Sequence, residues 1–228
     1  MNAYLPALVC FAVAEEAAAF RRLASGTADV RLLVTGMGTH NAVTALKQAL
    51  EEAPAAFVAS CGFAGGLDPD LVTGDILHTG ELPPEMAARL GATCARPGKF
   101  HCSRRIAVTV SEKTALRRET GADAVEMESQ AIAAVCREKN IPCLTLRVIL
   151  DTARESLPLD FNSLLNDACA IEPAKLALAV ARAPWKIPAL LRLQRQSRHA
   201  AEKLSGCLGA AFQIPASKNI GKKPVAVL

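Results

Sequence analysis

The chain has 228 residues, of which 51% are hydrophobic and only 4% aromatic, and it carries a net charge of +4. That length and apolar content suffice for one sizeable core, and no Gly/Ser-rich or Pro-rich linker divides the chain in two. So few aromatic side chains argue against a base-stacking nucleic-acid surface, and no apolar run reaches the roughly 18 residues of a membrane span.

The first apolar stretch, Ala3 to Ala14, lacks a positive leader and is broken by Glu15-Glu16. It therefore reads as a first strand, Ala7 to Val13, and not as a signal. Glu15 and Glu16 open a helical stretch, where carboxylates suit the positive amino end, and position alone does not choose between them. A second strand, Val30 to Thr35, leads into Gly36-Met37-Gly38 and a helix that Thr39 or Asn41 can cap, with Ala42, Val43, Leu46, Ala49 and Leu50 along one face. The third glycine of the dinucleotide fingerprint is missing and no Walker lysine follows, so a nicotinamide or P-loop enzyme is rejected.

A third strand, Ala56 to Ser60, runs into Cys61-Gly62-Phe63-Ala64-Gly65-Gly66-Leu67-Asp68. Glycines after a buried strand imply a backbone that passes close to something, and in an open α/β sheet that place is the crevice beyond the strand ends. Further strands are predicted over Asp75 to Thr79, Arg105 to Val110 and Ala124 to Met127, then a helix over Ser129 to Lys139 ended by Asn140 before Pro142, then a strand over Cys143 to Leu150. Glu126 and Glu128 point to one side of an extended chain and Met127 to the other, unless the helix already begins at Glu128. A buried Glu126 needs partners, which sugar hydroxyls would supply. Asp151 follows the last strand, poorly solvated, where its proton affinity rises into the range useful for acid catalysis.

After Leu159 the pattern is helical, punctuated by Pro173, Pro184 and Pro188, and the chain closes in a polar tail over residues 215–228. Alternating strands and helices predict a single three-layer α/β/α domain over residues 1–214, with a mixed, mostly parallel twisted sheet at its centre. The eight cysteines form no C-x-x-C pair and no His lies at zinc spacing, so free thiols in a reducing cytoplasm are expected, with no metal. Basic residues concentrate after Lys175. Within Pro184 to Lys203 they interleave with Trp185, Ile187, Leu190, Leu191 and Leu193, a composition that suits peripheral contact with an anionic inner leaflet as well as a terminal helix covering the sheet.

Taken in order, A-E-E, the G-x-G turn, G-F-A-G-G-L-D-P with G-D-I behind it, V-E-M-E-S and R-V-I-L-D resemble the purine nucleoside phosphorylase and nucleosidase superfamily, over roughly Leu5 to Asp160. The pattern is most similar to its methylthioadenosine/S-adenosylhomocysteine nucleosidase branch. It is closer still to the hopanoid-associated phosphorylase or nucleosidase group, which shares T-G-A-x-x-V-E-M-E-S and a helical end like Trp185 to Leu193. The resemblance implies an N-ribosyl hydrolase that releases adenine from an adenosyl nucleoside such as adenosylhopane, without metal or organic cofactor, in a homodimer or higher homo-oligomer. It implies that Asp151 gives a proton to N7 of the departing purine, Glu16 orients the attacking water, Glu128 holds the ribose hydroxyls and Met127 packs on the sugar. Gly65, Phe63 and Glu126 complete the expected substrate-binding set.

Phe63 stands where relatives often have Ser, Leu150 replaces a Ser before the aspartate, and the phosphorylase pattern G-D-P-x-R is absent. A phosphate dianion needs several donors or an arginine, and Glu15-Glu16 would repel it, so hydrolysis is favoured over phosphorolysis. A phosphate-dependent phosphorylase and a non-catalytic nucleoside-binding protein on the same fold are the alternatives.

Overall fold

A computed structural model describes residues 5–80 and 82–215. In chain order the elements are β1 (Ala7–Phe11), α1 (Ala14–Leu23), β2 (Val30–Val34), α2 (Thr39–Glu52), β3 (Phe57–Gly66), β4 (Ile76–Gly80), α3 (Pro84–Gly91), β5 (Ala95–Pro97) and β6 (Phe100–Cys102). They continue with α4 (Val110–Thr120), β7 (Ala124–Glu126), α5 (Ser129–Glu138), β8 (Cys143–Asp151), α6 (Pro173–Arg182) and α7 (Ile187–Ala211). The predicted tail lies outside the described residues except for Pro215.

The sheet runs β2-β1-β3-β8-β4-β5, with β7 antiparallel to the glycine end of β3 and β6 parallel to β7. β2, β1, β3 and β8 run parallel, and β4 is antiparallel to β8. Side chains alternate across a strand, so each strand feeds two cores. Val9 and Phe11 of β1 join Ala59, Leu146 and Val148 against Ala17 and Phe20 of α1 and Leu204 and Leu208 of α7. Leu8, Cys10 and Val58 face the other way, onto Ala42 and Leu46 of α2 and Ile132 and Val135 of α5. These are the three layers expected from the alternation of elements, and all eight thiols are free.

Two expectations need correction. Arg105 to Val110 is not a strand: the Ile106 amide and carbonyl bond the Asn162 side chain, and the Val108 amide bonds Glu112. Its β-prone composition joins no ladder among the described residues, and the segment instead delivers Thr109 as the cap of α4, with Glu112 completing the capping box and Gly121 ending the helix at φ 61°. The strand predicted to stop at Ser60 continues through the glycines to Gly66, because β8 and β7 supply partners for that backbone.

At its end β8 carries a bulge: Ala64 lies opposite Ile149 and Gly65 opposite Asp151, leaving Leu150 as the extra residue. Such an insertion re-aims the side chains around it. Leu150 packs towards the α1/α7 core, and Asp151 is set beside Gly65.

Candidate active site

The choice between Glu15 and Glu16 is made by α1. Glu15 is exposed and Glu16 is buried. From the first turn Glu16 Oε2 reaches back to accept from the amides of Ala12 (3.0 Å) and Val13 (3.3 Å), while Oε1 accepts from the Phe63 amide at 2.8 Å. Gly62 makes this approach possible, since a Cβ there would lie 2.7 Å from Oε1. Burial pushes the Glu16 carboxyl up to about 7, against the opposing pull of the Phe63 amide and Arg147.

Arg147 is the charge around which the carboxylates gather. It sits in the middle of β8, only 2% exposed, and its Nη2 donates to Glu126 Oε2 at 2.8 Å and to Ser60 Oγ at 3.1 Å, with Glu128 Oε2 at 3.7 Å. Its Nε has no partner among the described residues. Glu126 also caps α5, accepting from the amides of Glu128 and Ser129 and from Ser129 Oγ. Burial opposes its charge, yet Arg147 and these amides hold its carboxyl below the usual range. The Glu126 side chain, expected from the sequence to meet the sugar, is 0% exposed and has both oxygens engaged, by Arg147 and by the start of α5.

Glu128 diverges from Glu126, because the strand ends at Glu126 and the helix begins at Ser129. Its Oε1 accepts from the Gly38 amide at 2.8 Å, so it caps the amino end of α2 from across the fold. Thr39 and Asn41, the expected caps, bond elsewhere: Thr39 Oγ1 donates to the Met127 carbonyl and Asn41 Nδ2 to those of Met37 and Ala168. Burial raises the Glu128 carboxyl, with Arg147 and Gly38 opposing. Beside it, a cleft of about 270 Å³ is lined by Met127, Gly38, Thr39, Ser103, Arg104 and Cys169 among others.

Asp151 lies against Gly65: a Cβ there would stand 3.5 Å from Oδ2, in ordinary van der Waals contact. Burial raises its proton affinity, and Lys113 pulls the other way. Lys113, on the first turn of α4, is fully buried; its Nζ donates to Asp151 Oδ2 and to the carbonyls of Thr152 and Glu155, both at 2.7 Å. The glycines under the two acids, Gly62 under Glu16 and Gly65 under Asp151, are three residues apart on β3, roughly 10 Å along the strand. Phe63 contributes its amide to Glu16 while its ring packs towards the α1/α7 core.

Sequence reasoning missed Arg147 and Lys113 as parts of this site. Arg147 had a signal, a charge inside the apolar run Leu144 to Leu150, since such a charge must be paired. Lys113 had none, because a lysine in a polar helix is ordinarily solvated.

The family model of the phosphorylase superfamily matches residues 9–82 and 84–182. Among solved structures, futalosine hydrolase of Helicobacter pylori is 16% identical with a TM-score of 0.68, the match covering 92% of this chain and 98% of that one. The 5'-methylthioadenosine/S-adenosylhomocysteine nucleosidase of Neisseria meningitidis, in complex with methylthio-immucillin-A, is 18% identical with a TM-score of 0.67 and coverage of 91% and 98%. The corresponding nucleosidase of Campylobacter jejuni is 17% identical at a TM-score of 0.61, with 90% and 98% covered. The match along the sequence and the shared fold agree: the chain belongs to the phosphorylase superfamily and is an enzyme of the nucleoside-processing glycosyl hydrolase or transferase class.

Proposed function

We propose that this enzyme hydrolyses the N-ribosyl bond of an adenosyl-type nucleoside and releases adenine, with adenosylhopane among its candidate substrates. The observation that carries the reading is a pair of carboxyls with raised proton affinity at the glycine end of β3, the buried Glu16 beside Gly62 and the partly buried Asp151 beside Gly65. Breaking the bond builds positive charge on the sugar and negative charge on the leaving purine. Asp151 gives its proton to N7 of the base. Glu16, half ionised near neutral pH, takes the proton of the attacking water. Glu128 accepts from ribose hydroxyls, and Met127 at the cleft wall packs on the sugar.

Water as acceptor is supported by the charges around Glu16. Its neighbouring cation is Arg147, which is already engaged with Glu126, Ser60 and Glu128. Arg21 and Arg22 are exposed in the last turn of α1, away from a buried Glu16, whereas Arg104 lines the cleft beside Met127 and is the cation through which a phosphate would have to bind. Adenine release from adenosine, methylthioadenosine, S-adenosylhomocysteine and adenosylhopane, each with and without phosphate, tests the reading. Release without phosphate from at least one of them is expected, and strict dependence on phosphate would establish a phosphorylase instead.

The same reading includes a homo-oligomer and peripheral contact with anionic membrane through residues 184–203. Support for the contact is local: Trp185 is 73% exposed, Leu191 49% and Ile187 41%, and Lys186, Arg192, Arg195 and Arg198 lie among them. No helix among the described residues is long and apolar enough to cross a membrane.

A further inference from the structure

A buried lysine bonded to the proposed proton donor needs its own account. A lysine ammonium has three N–H donors, and those of Lys113 have three acceptors: Asp151 Oδ2 and the carbonyls of Thr152 and Glu155. The Lys113 side chain is 0% exposed, on a turn that the Thr109 and Glu112 capping box fixes in place, and that of Asp151 is 13% exposed. Two neutral carbonyls and a protonated acid leave this buried ammonium without a counter-charge until Asp151 ionises. Among the described residues nothing donates to Asp151 Oδ1, so one oxygen is tethered and the other is left for a ligand.

We propose that Lys113 is the positioning residue for Asp151: it orients the acid by one oxygen and receives the carboxylate that appears when the purine takes the proton. This rests on the reading of Asp151 as the acid. In the step, the O–H bond of Asp151 breaks and its electron pair stays on the carboxylate. An N–H bond forms at N7, the pair of the C1'–N9 bond passes to the purine ring, C1' takes its new bond from the oxygen of the water whose proton goes to Glu16, and Lys113 keeps its three protons. The charge moves from leaving group to Asp151, beside a cation already in place and needing no solvent rearrangement. Lys113 also limits how weak an acid burial can make Asp151.

The groups facing Asp151 are few. Lys113 comes from α4 and Glu155 from the turn after β8, the latter engaged with the Thr152 amide and hydroxyl. Gly65 of β3 and Val125 of β7 bring no charge. Removing the ammonium therefore lets burial and Glu155 act unopposed, and Asp151 holds its proton to higher pH.

The test is the pH profile of kcat/KM for adenosine in the Lys113→Met protein, with Lys113→Gln as a second variant that keeps donors for the two carbonyls. The basic limb is expected to move up by about one pH unit or more. Hydrolysis of 4-nitrophenyl riboside, whose leaving group departs without a proton, should stay within about threefold of the parent enzyme. An unmoved limb, equal loss on both substrates, or failure of both variants to fold assigns Lys113 to fold stability alone and overturns the proposal. Asp151→Asn in the same assays separates the two claims: if it still turns adenosine over, the acid reading fails, whereas silent lysine variants beside a dead Asp151→Asn sink only the inference about Lys113.

Discussion

Glu15 and Glu16 are neighbours in the chain with opposite environments, and the difference has measurable consequences. As a base, Glu16 must be ionised, so kcat/KM should fall on the acid side of about pH 7 and Glu16→Gln should remove that limb together with most of the turnover, about 10² to 10⁴-fold. The same raised affinity affects stability. A carboxyl whose folded value lies near 7 and whose unfolded value lies near 4.5 contributes fully below the unfolded value and loses that contribution as pH rises through the folded one. Urea unfolding of parent and Glu16→Gln proteins should show the difference between them moving against the parent by up to about 3 kcal/mol between pH 4 and pH 8.5. A constant difference across that range would mean Glu16 is not held neutral by burial. Gly62→Ala probes the same group sterically: its Cβ would overlap Glu16 Oε1 at 2.7 Å, so turnover should drop while the circular dichroism spectrum is kept.

At the scale of elements, two helices owe their amino ends to acids from elsewhere in the site. Glu126 caps α5 and Glu128 caps α2, and Arg147 of β8 holds both. Arg147→Met leaves these buried carboxylates without their cation, and a cost of about 3–5 kcal/mol is expected from chemical denaturation. A cost under about 1 kcal/mol would place the pair in the class of solvated bridges. The elements that sequence reading recovered are those whose own periodicity declares them, such as α2 with Ala42, Leu46 and Ala49 and α5 with Ile132 and Val135. Arg105 to Val110 misled because β-propensity is local and a strand needs a neighbour. The reach of β3 to Gly66 was hidden for the converse reason, since its glycines are held extended by β7 and β8. The sequence left open whether Glu126 and Glu128 share a side, because the turn of the chain between Glu126 and Ser129, which separates their directions, is a tertiary event.

For the whole molecule, α7 joins a buried and an exposed half. Ala200, Leu204, Cys207 and Leu208 close the core, whereas α6 buries no residue and the start of α7 leaves Ile187 and Leu191 open among arginines. If this surface meets anionic bilayers, the protein should sediment with phosphatidylglycerol vesicles at low salt and remain free with phosphatidylcholine vesicles, and Trp185→Ser with Leu191→Ser should release it. Equal recovery with both lipids would remove the membrane from the account. The three layers, the acid at the end of β8 and the glycines beneath it were legible in the chain because motif order and strand periodicity are local properties. The cationic partners of the acids were not, because Lys113 and Arg147 reach them from 38 and 21 residues away along the chain.

The central claim is that the purine leaves with the proton of Asp151. Adenine release by the Asp151→Asn protein, measured beside its calorimetric affinity for adenosine, tests it most directly. Turnover is expected to fall by about 10² to 10⁴-fold with binding kept within a few-fold. A variant that binds adenosine and still releases adenine at the parent rate would contradict it.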